Sequence, residues 1–75
     1  MQTLDRNSPA WLVGTSAEDC SITMQNRVAS SPMGALFDVA EALNYMNTNG
    51  IEKKAHRQAL MKAGRKALNA LGELA

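Results

Sequence analysis

The chain holds one histidine, His56, and one cysteine, Cys20. Together they would form a nucleophile–base pair only if a third side chain oriented the imidazole, and no such group is identifiable by spacing. Structural zinc needs four ligands, usually Cys and His in close pairs, and that pattern is missing from the sequence. The seven acids, Asp5, Glu18, Asp19, Asp38, Glu41, Glu52 and Glu73, are scattered. Their one adjacent pair, Glu18-Asp19, suits the positive end of a helix better than acid–base work. The glycines form neither a dinucleotide-binding nor a P-loop pattern. An enzyme is therefore not expected, and neither a cofactor nor a metal is implied. His56, between Lys54 and Arg57, reads as an exposed helix residue, and Cys20 as a small buried hydrophobe.

The charge distribution carries more information. The formal net charge is only +1, yet six of the eight basic residues (Lys53, Lys54, Arg57, Lys62, Arg65 and Lys66) fall in an acid-free window, 53–66. Such a run serves as a solvated helix face, as a partner for an acidic neighbouring helix, or as a binding surface. Nucleic-acid phosphates are one target, which would make the chain a small dimeric DNA-binding regulator using 53–66. That alternative is handicapped by the lack of aromatics for base stacking on the basic segment and of support behind a long reading helix. A protein partner requires fewer assumptions. Trp11, Met24, Phe37, Tyr45 and Met61 are the candidate contact residues, with Lys54, Lys62, Arg65 and Lys66 as an electrostatic rim.

Those residues depend on helices. The segment 31–75 is rich in alanine and leucine and has no proline after Pro32, so helix is favoured throughout it. Ser31-Pro32 reads as an N-cap followed by a first-turn proline. Met33, Leu36, Phe37, Ala40, Leu43 and Met46 recur at helical spacing and predict one apolar face. Asn47-Thr48-Asn49-Gly50 predicts the stop, with Gly50 in the left-handed conformation and Ile51 packing back on Met46. A second helix over 52–74 carries the stripe Leu60, Ala63, Ala67, Leu71 and Leu74, with Gly64 either a tolerated weak spot or a point of close helix approach. The short connection predicts an antiparallel helical hairpin of 32–47 and 52–74. Residues 1–30 are less regular. Ala10 to Val13 suggests a short strand or hydrophobic anchor. Ser16 followed by Asp19 suggests a helix start, which would put Ala17, Cys20, Met24 and Val28 on one side; the competing period-two pattern would make 10–28 a strand hairpin.

At 75 residues the chain is a single small domain, and one of this size buries only about 60% of its unfolded surface. The hairpin alone leaves Leu36, Phe37, Leu68 and Met61 wet, so a homodimeric helical bundle is expected, unless the N-terminal segment supplies the cover. A lone cysteine fits a reducing compartment, and no apolar run approaches a membrane span, so a cytoplasmic setting is expected. Taken together, the sequence predicts an all-α protein that binds another protein and modulates or inhibits it, as an inhibitor, anti-activator or adaptor.

Overall fold

A computed structural model describes the backbone of residues 9–74 and the side chains of residues 12–73. It contains four helices: α1 (Pro9–Gly14), α2 (Ala17–Ser30), α3 (Pro32–Thr48) and α4 (Lys54–Leu74), with no strand among the described residues. The all-α expectation therefore holds. The segment around Ala10 to Val13 is a short helix rather than a strand, and the stretch begun by Ser16 is helical for 14 residues.

The helix ends follow from local chemistry. Ser16 accepts a hydrogen bond from the Asp19 amide at 3.1 Å, while Glu18 and Asp19 place negative charge in the first turn of α2. Ser31 closes one helix and opens the next. Its amide donates to the Arg27 carbonyl at 2.7 Å, and its hydroxyl accepts from the Gly34 amide at 3.1 Å. With Pro32 in the first turn of α3, one extended residue makes the whole α2–α3 corner. The Arg27 guanidinium crosses this corner to Asp38 at 3.0 Å, and the partial exposure of both groups keeps that pair below about 1 kcal/mol.

The end of α3 is also as the sequence predicts. Gly50 has φ +65°, the Ile51 amide donates to the Met46 carbonyl at 2.8 Å, and the Gly50 amide to that of Asn47 at 3.4 Å. This two-bond closure satisfies carbonyls that the helix leaves without partners. Ile51 is half-buried and packs against the core. Arg57 then staples the turn, donating to the Asn47 side chain at 2.8 Å and to the Ile51 carbonyl at 3.2 Å.

The core comprises Leu12 and Val13 of α1, Cys20 and Met24 of α2, Ala35, Val39, Ala42 and Met46 of α3, and Leu60, Ala63 and Ala67 of α4. Helix α4 begins at Lys54, two residues later than expected; Leu60, Ala63 and Ala67 of its expected stripe are buried, Leu71 is half-buried, and the side chain of Leu74 lies outside the described residues. On α3 the buried face is rotated from the expected one: Ala35, Val39 and Ala42 point inward with Met46, whereas Met33, Phe37 and Ala40 are exposed and Leu36 and Leu43 are half-buried. The physical reason is crowding, because α1, α2 and α4 all pack on α3. Small side chains let several backbones come close at once, and dispersion rewards that closeness.

Gly64 is buried opposite Val39, yet a Cβ added there would meet Val39 Cγ1 at 3.5 Å, an ordinary contact. Close approach and tolerance are both present at this position. His56 is corrected by the structure: it is 7% exposed, not a surface residue. Its Nε2 lies 2.6 Å from the Thr15 carbonyl oxygen, and because a carbonyl only accepts, Nε2 carries the proton and donates. Beside it the Lys53 ammonium donates to the Val13 carbonyl at 2.9 Å. Two basic side chains at the start of α4 thus hold the C-terminal end of α1, the negative end of its dipole.

Candidate functional site

Chemistry at the two reactive side chains is constrained by their surroundings. Cys20 is fully buried, and desolvation raises its thiol pKa above the usual value. His56 commits Nε2 to a backbone carbonyl. Neither is presented as a nucleophile or a base. Among the described residues no group of three His, Cys, Asp or Glu side chains is placed to hold a metal ion, and no helix is long and apolar enough to cross a membrane.

The uncommon feature is an apolar surface. Phe37 (63% exposed), Leu68 (59%), Met33 (53%) and Met61 (51%) are large apolar side chains left open to solvent on α3 and α4. Their spacing places them together. On α3, Met33, Phe37, Ala40 and Asn44 recur at steps of four and three and share one stripe; on α4, Met61, Arg65, Leu68 and Gly72 do the same, and Lys54, seven residues before Met61, falls on that stripe too. Asn47 of α3 meets Arg57 of α4, and Val39 of α3 faces Gly64 of α4, with Leu36 and Leu43 flanking Val39 at helical spacing. Half-buried Leu36 and Leu43 therefore floor a seam, and the exposed stripes border it.

The opposite side of the α3–α4 pair is occupied. Asp38 on α3 meets Arg27 of α2, and Lys66 on α4 meets Gln25 of α2 at 2.9 Å. Helix α1 adds Leu12 and Val13 to the core. Helices α1 and α2 thus supply on one side the cover that the hairpin lacks, and the other side stays bare. Ile22, although 53% exposed, lies on the outer face of α2, away from this seam.

The expected contact residues divide accordingly. Phe37 and Met61 lie on the bare face. Met24 does not: it is fully buried among the core residues, so it is closed to a partner while the bundle is folded. Its neighbours at helical spacing, Cys20 and Val28, share its inward face. Tyr45 is half-buried and packs against the core from the side of α3 away from the seam. The side chain of Trp11 lies outside the described residues. Met33 and Leu68 join the face although the contact prediction omits them; their signal is their place at the edge of an apolar arc too wide for one packed neighbour.

Of the basic window, Lys53 and Arg57 are spent on internal carbonyls and the turn. Lys54, Lys62, Arg65 and Lys66 remain exposed, and none of them forms an ion pair among the described residues. Lys54 and Arg65 stand on the same stripe as Met61 and Leu68, Lys62 lies just outside it, and Lys66 faces α2. No family model, curated protein or solved structure matches the chain, so the geometry alone supports a functional reading.

Proposed function

We propose that the chain is a non-enzymatic, cytoplasmic binding protein that modulates or inhibits another protein by occupying its surface with the outer face of α3 and α4. One observation carries the reading: four large apolar side chains, Met33, Phe37, Met61 and Leu68, stay exposed on the outer surfaces of α3 and α4, although α1 and α2 cover the reverse side. Contiguous apolar surface rimmed by charge is costly to leave in water and is typical of interaction sites.

The DNA-binding alternative has less support. With Lys53 and Arg57 engaged internally, the remaining cations are spread over more than one face, and apolar side chains interrupt them where phosphates would sit. Affinity capture from the native host tests the proposal. The wild-type chain should recover a protein in stoichiometric amount, and the Phe37→Asp/Leu68→Asp chain should lose it. Recovery of the same proteins by both baits, or of none by either, would refute the reading.

A further inference from the structure

Resting on that reading, we propose that the seam between α3 and α4 receives an amphipathic helix of the partner protein, with carboxylates along the edge that meets α4. Three observations converge on this occupant. The first is shape. Met33 to Ala40 on α3 and Met61 to Leu68 on α4 each span eight residues, about 10 Å from the first to the last. Two parallel ridges of that length above a floor of Leu36 and Leu43 match about two turns of a third helix, read through anchors at i, i+3 or i+4, and i+7.

The second is charge. The α4 border of the seam carries Lys54 and Arg65 on the stripe itself, with Lys62 just outside it, and the helix has no acid between Lys54 and Gly72. None of these cations has a carboxylate partner among the described residues. The α3 border carries no acid: Asp38 is turned to Arg27, and Glu41 lies beside Tyr45 on the side of α3 away from the seam. A docked helix with acids facing α4 and uncharged residues facing α3 satisfies both borders, which also fixes its orientation in the seam.

The third is the mismatch with a second copy of this chain. Two-fold pairing through the same face would set the Lys54, Lys62 and Arg65 edge of each copy against a border that offers no free acid. That leaves an excess of positive charge on both sides of the seam, whereas an acidic helix removes it.

The probes are two synthetic helical peptides with the same leucine stripe, one flanked by glutamates and one by lysines, titrated by fluorescence anisotropy at low salt. The glutamate peptide should bind about tenfold or more tighter than the lysine peptide, and the difference should shrink as salt screens the border charges. Lys62→Glu with Arg65→Glu should invert the preference. Leu68→Asp should weaken the glutamate peptide by about thirtyfold, as expected for an anchor contact in the seam. Amide resonances of 33–44 and 61–72 should shift on binding, while those on the outer side of α2 should not; this holds without any substitution.

Equal binding of the two peptides, no binding of either, or shifts centred on α2 would overturn the proposal. So would a mass near twice the chain's 8.1 kDa that falls to the single-chain value on Phe37→Asp, since the occupant would then be a second copy. If capture from the host recovers a partner through this face while the glutamate peptide fails, the chemistry assigned to the partner is wrong and the binding role stands. If both fail, both are wrong.

Discussion

Replacing His56 with leucine should loosen α1 and lower the stability of the whole domain. The imidazole donates to the Thr15 carbonyl at 2.6 Å from a buried position, and Lys53 holds the neighbouring Val13 carbonyl at 2.9 Å. Six residues make too short a helix to persist without tertiary support. Helix α1 is therefore held by these two bonds and by the burial of Leu12 and Val13. Leucine has comparable bulk but no donor, so the Thr15 carbonyl is left without it, at a cost of about 1–3 kcal/mol. At about 2.1 cal/mol/K of unfolding entropy per residue, 75 residues give about 0.16 kcal/mol/K, or about 6 °C per kcal/mol. The Tm followed by circular dichroism at 222 nm should fall by about 6–18 °C. Hydrogen exchange of the α1 amides should accelerate more than that of α3 or α4. His56→Gln, which keeps an amide donor, should recover part of the loss. A His56→Leu protein as stable as the wild type, with α1 exchange unchanged, would refute the assignment of His56 as the α1 anchor.

Three further outcomes follow from the packing. Gly64→Ala should stabilise the domain by about 0.5–1 kcal/mol in urea unfolding, because alanine is the better helix former and its Cβ would sit 3.5 Å from Val39 Cγ1 without displacing it. Gly50→Ala should destabilise by about 1 kcal/mol in the same assay, since the residue closes α3 at φ +65° and a Cβ is disfavoured there. Cys20 should resist a thiol reagent in the native state. Its thiol pKa is raised by burial, so above the unfolded value the unfolded chain gives up a proton that the folded chain keeps. Stability should therefore fall as pH rises beyond the ordinary thiol range, by at most about 1.4 kcal/mol per pH unit, and Cys20→Ala should flatten that alkaline limb in pH-dependent urea titrations.

What the sequence makes legible is the chemistry that acts between near neighbours. Ser16, Ser31-Pro32 and Asn47 to Gly50 each mark a helix boundary, because capping groups must lie within a turn of the amides and carbonyls they satisfy. The inward stripe of α4 is legible too, since Leu60, Ala63 and Ala67 have polar residues on the opposite side. Helix α3 is harder. Its apolar residues run from Met33 to Met46 over more than half the helix circumference, and hydropathy gives the larger members more weight. Packing among three other helices instead selects Ala35, Val39 and Ala42, which admit close approach. Helix α1 is too short for periodicity to register.

The role of His56 is invisible for another reason: its partner is a main-chain carbonyl 41 positions away, and a carbonyl has no residue type to betray it. Met24 shares that difficulty, since a methionine serves equally well as filler in a core or as an adaptable surface. The exposed apolar face is half legible. Phe37 and Met61 stand among the expected contact residues, and the sequence predicts Leu68 to be wet in an isolated hairpin. Only the placement of α1 and α2 shows which side of the α3–α4 pair stays open.

The bareness of that side is tested most directly by the urea unfolding free energy of the Phe37→Asp/Leu68→Asp protein, measured across a range of protein concentrations. Both side chains are more than half exposed in the folded chain, so, at about 0.5 kcal/mol for each surface substitution, the unfolding free energy should stay within about 1 kcal/mol of the wild type at every concentration. A loss of about 2 kcal/mol or more, the size seen when core side chains are removed, would show that the chain or a second copy already covers the face and would contradict the account.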